Sequence, residues 1–213
     1  MKTEISPKDT TRALAFELWM SSPMPMVTLV KTLDVSRLMK VSRRTGMKFT
    51  MLMCWCIGKA ASKIEEFYML PEKPTTGDGT GRMFRYDKLA INAIVQNRKG
   101  GLNFCDIAFT EDLQQFNRDY LKLTAQAADE CVTTALNGYM CIGTSAVVQT
   151  ELDCIVNQYN DKFLNPMVIW GKYRKGLFKT TLPVSFQFHH VQMDGAQAAT
   201  FLQRLQDEIN KLN

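Results

Sequence analysis

Residues 182–195 read Leu182-Pro183-Val184-Ser185-Phe186-Gln187-Phe188-His189-His190-Val191-Gln192-Met193-Asp194-Gly195. Leu182, Val184, Phe186, Phe188 and His190 fall on one parity, while Ser185, Gln187 and His189 fall on the other. In a strand, alternate residues point to opposite faces, so the pattern predicts a strand that carries His190 off the end of its apolar face. A partly desolvated imidazole is held neutral and can accept a proton near pH 7, which is what a general base must do. His189, on the other face, reads as structural. Asp194 is placed to cap the following helix, and Gly195 permits the sharp turn into it. The chain has two histidines in all, so imidazole chemistry can sit nowhere else.

Outward from this stretch, helices and strands mix without strict alternation. Downstream, Ala198, Phe201, Leu202, Leu205, Ile209 and Leu212 recur at helical spacing over 196–212. Upstream, strands are predicted at 166–173 and 177–190, a short helix at 151–160, and a strand over Tyr139–Val148. A helix at 111–131 carries Leu113, Phe116, Tyr120, Leu123 and Ala127 on one stripe, after strands at 83–96 and 102–109. Thr75 to Gly81 is glycine-rich but has neither the Lys-Ser/Thr of a phosphate loop nor a following helix, so it reads as a hairpin turn. Residues 48–66 are apolar nearly all round, the mark of a buried helix. Asp34 caps a basic amphipathic helix with Arg37, Lys40, Arg43 and Arg44, broken by Gly46. Before it come a strand over Pro25–Leu33 and a first helix with Leu14, Phe16 and Leu18 to Met20. No repeat or linker divides the chain. The expectation is one α+β domain over 1–213, a two-layer sandwich with a mixed sheet packed against helices.

Composition excludes several classes. Hydrophobic residues make up 46% and charged residues 22%, which rules out a disordered or collagen-like chain. Twenty-six Lys and Arg against 21 Asp and Glu leave +5, too mild to call for a nucleic-acid partner. The N-terminus lacks a signal-peptide apolar region, and the longest apolar run, about 49–58, is half the ~20 residues of a membrane span. No membrane partner is expected. The six cysteines lie mostly in apolar runs and form no C-x-x-C, so they read as reduced thiols of a cytoplasmic protein. Adjacent strand residues point apart, so His189, His190 and Asp194 make no metal site. A serine hydrolase is excluded by the lack of G-x-S-x-G, while a Cys–His nucleophile pair stays open with little support.

His189-His190-Val191-Gln192-Met193-Asp194-Gly195 resembles the H-H-x-x-x-D-G signature of the chloramphenicol acetyltransferases, shared by lipoyl-dependent acyltransferase domains. Arg12 with Phe16, Lys48-Phe49 and Gly171-Lys172-Tyr173 are similar to further short matches, in order along nearly the whole chain. The D-F-G-W-G motif of the plant-type acyltransferases is absent. The resemblance implies a homotrimer with interface active sites, acetyl-CoA as co-substrate, a small-molecule acceptor such as chloramphenicol, and no permanently bound cofactor. It implies His190 as general base, Asp194 paired with Arg12 to hold the histidine turn, and Lys48 and Lys172 near the CoA phosphates. Met24, Met26 and Phe104 are acceptor-pocket candidates. The family places an oxyanion-binding Ser in the segment resembling Tyr139–Val148. An ungapped match puts Ile142 there, and a shifted one puts Thr144 or Ser145. The family Thr before Gly-Lys-Tyr corresponds to Ile169 or Trp170. Two other readings stand beside this one: the same chemistry on another alcohol or amine, and an acyl-CoA-binding homologue with weakened catalysis.

Overall fold

The computed structural model describes residues 1–73 and 81–213. The elements in chain order are β1 (Lys2–Ile5), α1 (Ala13–Trp19), β2 (Met26–Asp34), α2 (Ser36–Thr45), α3 (Phe49–Ala61), β3 (Met69–Glu72), β4 (Arg82–Tyr86), β5 (Leu89–Gln96) and β6 (Leu102–Ala108). They continue with α4 (Leu113–Asp129), β7 (Met140–Ala146), β8 (Met167–Trp170), β9 (Arg174–Lys175), β10 (Thr180–His189) and α5 (Gly195–Lys211). Short 3-10 turns cover Pro7–Asp9 and Glu65–Tyr68. The main sheet runs β2-β10-β8-β7-β5-β6, with β9 also on β10, and is mixed: β5–β7 and β7–β8 are parallel and the other pairs antiparallel. A second sheet, β1-β4-β3, stands apart from it.

The α+β reading holds, with one helical layer against one face of the main sheet. Helix α3 is buried on almost every side because Met51 through Ile57 are all apolar, and it forms the middle of the core with α4 and α5. Phe186 and Phe188 of β10 pack on that side, with Phe67 stacked on Phe186 and Phe201 tilted against it. The basic helix ends where expected, since Gly46 has the positive φ of 74° that a left-handed cap requires. Its N-cap residue is Val35 rather than Asp34, although the Asp34 carboxylate still accepts the Ser36 N–H at 3.0 Å. Asp112 caps α4 by accepting the N–H groups of Gln114 and Gln115.

Two expectations need correction. The strand predicted at 83–96 is two strands, β4 and β5, that belong to different sheets, a division that local periodicity cannot show. The helix predicted at 151–160 does not form. That segment lies over β10, and side chains of the sheet satisfy its backbone: Ser185 Oγ accepts the Ile155 N–H, and Gln187 Nε2 donates to the Asn157 carbonyl. As a result, Leu182 to His189 are buried on both faces, and the polar parity of β10 is no less enclosed than the apolar one. The turn at 75–80 lies outside the described residues. β3 and β4, which flank it, pair antiparallel.

All six cysteines are free. Cys54, Cys56 and Cys105 are buried as expected, whereas Cys154 is exposed. Among the described residues no helix is long and apolar enough to cross a membrane.

Candidate active site

β10 ends at His189, and His190 opens the turn that leads into α5. The parity argument therefore does not hold as stated: His190 stands beyond the strand with 30% of its side chain exposed, and His189 is the enclosed residue. The His190 N–H donates to the Pro25 carbonyl at 2.8 Å, which fixes the turn against the start of β2. The imidazole stacks on Trp19, with centroids 4.9 Å apart and planes 12° from parallel. Its Nδ1 lies 3.2 Å from Asp194 Oδ1 without hydrogen-bond alignment. The Asp194 carboxylate is thus beside Nδ1 and not beside Nε2.

Arg12 locks the turn in place. It is 2% exposed, and its guanidinium grips both Asp194 oxygens, through Nη1 at 2.6 Å and Nη2 at 2.8 Å. Nη2 also donates to the His190 carbonyl and Nε to the Val191 carbonyl, each at 2.9 Å. A planar guanidinium with five donors can hold a carboxylate and two carbonyls at once, which an ammonium cannot. Hydrogen bonding from Arg12 holds the Asp194 carboxyl below the usual carboxylate range. Asp194 is the N-cap residue of α5 as expected, but its carboxylate is spent on Arg12, and Gln197 Oε1 accepts the Asp194 N–H.

His189 is wholly buried. Its Nδ1 accepts the Val191 N–H at 3.1 Å, and burial drives its pKa down to about 4, so it stays neutral at neutral pH. Gln192, also wholly buried, donates to the Glu66 and Met69 carbonyls and ties the turn to the second sheet.

The remaining candidates are scattered. Met24 and Met26 flank Pro25 and so sit beside His190, with Met24 largely exposed. Lys48 and Lys172 are both exposed, and the neighbouring rings of Phe49 and Tyr173 touch at 5.4 Å, which brings the two lysine-bearing segments together. Gly171 is needed there, because a Cβ would come within 2.9 Å of the Thr150 carbonyl. Phe104 lies on β6, at the far edge of the sheet from β2, and does not approach His190.

Thr144 and Ser145 part company. Thr144 faces the helices, near Cys54 Sγ, and its hydroxyl donates to the Asn92 carbonyl at 2.9 Å. Ser145 points to the opposite, helix-free face and is half-buried. Four cysteines make poor nucleophiles, since burial pushes their thiols up: Cys54 to about 12, Cys105 to about 11, and Cys56 and Cys141 further. Among the described residues no three of His, Cys, Asp and Glu are grouped to hold a metal ion.

Two parts of this site carried too little sequence signal to be found. Trp19 ends the helix that Arg12 caps, seven residues on, a spacing near two helical turns that was the available clue. The Pro25 carbonyl left none.

The geometry agrees with the comparisons. Residues 3–206 match the model of the chloramphenicol acetyltransferase family. Chloramphenicol acetyltransferase 2 of Escherichia coli is 24% identical over 187 residues, covering 84% of this chain and 83% of that protein. Chloramphenicol acetyltransferase 3 of Escherichia coli is 21% identical over 215 residues, covering 98% and 97%. A solved chloramphenicol acetyltransferase superposes with a TM-score of 0.80 at 16% identity, over 98% of this chain and 100% of that one. The truncated catalytic core of the 2-oxoacid dehydrogenase multienzyme complex from Thermoplasma acidophilum gives 0.71 at 14% identity, over 99% and 100%. With a turn built on His190, Asp194 and Arg12, and a family match over nearly its whole length, the chain belongs to the chloramphenicol acetyltransferase family and is an acyltransferase.

Proposed function

We propose that the protein moves an acetyl group from acetyl-CoA to a hydroxyl of chloramphenicol, with His190 as general base. The observation that carries this reading is the locked turn: Arg12 spends its whole guanidinium on fixing the backbone that presents a half-exposed imidazole. His190 Nε2 takes the proton of the acceptor hydroxyl as its oxygen attacks the thioester carbonyl. The tetrahedral intermediate then collapses by breaking the C–S bond, and the imidazolium returns its proton to the leaving CoA thiolate. Asp194 acts structurally, holding the histidine turn through its two bonds to Arg12. Lys48 and Lys172 are assigned to the CoA phosphates.

The oxyanion needs a donor, and Ser145 is the better candidate, because the Thr144 hydroxyl already serves Asn92 on the helix side. Ser145 lies two strands from β10, in line with Ser185 and five residues short of His190. At strand spacings of about 3.3 and 4.8 Å, the two side chains are roughly 15–20 Å apart within one chain. A single subunit cannot bring them to one carbonyl. This supports a homotrimer in which His190 of one subunit faces Ser145 of the next. The exposed Leu14, Leu18, Trp19 and Met24 around His190 supply an apolar surface for that neighbour or for the acceptor.

The test is acetyl transfer from acetyl-CoA to chloramphenicol, followed by release of free thiol. His190→Ala is expected to abolish turnover while the variant stays folded, and retention of most of the activity would overturn the mechanism. A second reading changes only the acceptor. It is favoured by Ile169, which lies beside Ser145 in the sheet and supplies no hydroxyl there. His190-dependent turnover of another alcohol or amine, with none on chloramphenicol, would select it.

A further inference from the structure

β9 and β10 are joined by a tight turn whose tip is Leu177-Phe178. These side chains are 96% and 93% exposed, more than any other large apolar residue of the described chain. They overhang a groove of about 500 Å³ whose opposite wall is the exposed face of α2, with Lys40, Arg43 and Arg44, and whose rim carries Lys179. Asp34 lies 3.6 Å from Lys179. Glu151 and Asp153 are engaged by Arg174 on the neighbouring strand. Lys40, Arg43, Arg44 and Lys175 have no acidic partner among the described residues. The corner therefore combines two bare apolar side chains with a concentration of unneutralised positive charge. The average charge of +5 conceals it.

Folding does not account for this arrangement. A turn closed by the Gly176 N–H donating to the Lys179 carbonyl needs no bulky apolar residues at its tip, and exposing them has a cost that nothing in the chain returns. The tip sits at the opposite end of β10 from His190, some nine residues or about 30 Å away, and beyond the lysines assigned to the CoA phosphates, of which Lys172 lies five residues before Leu177. We propose that this corner docks the enzyme on an anionic phospholipid surface, with Leu177 and Phe178 entering between headgroups and the α2 cations lying over the phosphates. Charge complementarity chooses the partner, and the two adjacent apolar side chains at an exposed tip choose a bilayer over a folded acidic protein, which would have to offer a pocket for them.

The experiment is co-sedimentation of the intact protein with phosphatidylcholine vesicles, with and without phosphatidylserine, at low and at physiological salt. Binding is expected only when phosphatidylserine is present, and it weakens with salt. A basic side chain near such a surface is worth roughly fivefold in partitioning, so the double variant R43A/R44A is expected to lose about 25-fold. L177S/F178S, at positions that touch no core, is expected to lose at least tenfold while its acetyl-transfer activity is unchanged. Failure to bind phosphatidylserine vesicles at low salt overturns the proposal. Binding lost in R43A/R44A but kept in L177S/F178S overturns it as well, because the apolar tip would then play no part. Equal binding to RNA and to the vesicles would show unspecific attraction of polyanions and would also overturn it.

Discussion

Replacing Arg12 by Lys keeps the charge and removes the fork. The guanidinium makes four charge-assisted hydrogen bonds, to both Asp194 oxygens and to the carbonyls of His190 and Val191. A lysine ammonium donates from one point and can serve the carboxylate and at most one carbonyl, so two bonds are lost. At about 1.5 kcal/mol each the loss is about 3 kcal/mol, and hydration of the half-exposed Asp194 returns part of it. The expected destabilisation is about 2–3 kcal/mol. For a chain of this size that lowers Tm by about 4–12 °C. The measurement is thermal unfolding of R12K and wild type by circular dichroism at one protein concentration, because the proposed subunit association would make Tm depend on concentration. The same change frees the carbonyl of the residue proposed as base. A displacement of about 1 Å there is enough to lower kcat by about 10²-fold. If R12K melts within 2 °C of wild type and retains a third or more of its kcat, Arg12 does not hold the turn in the way its contacts imply.

Two further outcomes follow from side-chain environments. Ser145→Ala is expected to lower kcat by about 10²–10³-fold, whereas Thr144→Val leaves kcat unchanged and costs about 1 kcal/mol of stability, which steady-state kinetics and urea unfolding separate. His189 has a folded pKa near 4, below its unfolded value near 6.5, so the unfolded chain binds the extra proton first. Its contribution to stability is complete above about pH 6.5 and is lost as pH falls toward 4, at a slope approaching 1.4 kcal/mol per unit. Unfolding free energies measured from pH 7 to 4.5 are expected to show this slope in wild type and to lack it in His189→Asn.

The sequence pattern revealed the elements better than their partners. Helix α3 was plain because a run such as Met51 to Ile57 can only be buried, and Gly46 marks a helix end by its own backbone chemistry. The division of 83–96 between two sheets was hidden, because alternation reports a strand and not its neighbours. Residues 151–160 showed enough apolar spacing for a short helix, but hydroxyl and amide groups from distant Ser185 and Gln187 take their backbone instead. In the site, Arg12, His190 and Asp194 were visible through the motif, and the structure joins them across most of the chain. The choice between Thr144 and Ser145 was not visible, since it depends on which face of β7 the helices cover. Trp19 was missed for a similar reason: a tryptophan on a short helix reads as packing until its ring is found on an imidazole.

Arg12 and Asp194 are separated by 182 residues, and this has a consequence for synthesis. At about 5–20 residues per second, a ribosome needs roughly 10–40 s after making Arg12 before it reaches the carboxylate that neutralises it. Throughout that interval a cation destined for a 2%-exposed position has nowhere to settle. The turn bearing His190 can therefore close only after the 182-residue stretch that separates its two anchors has been made.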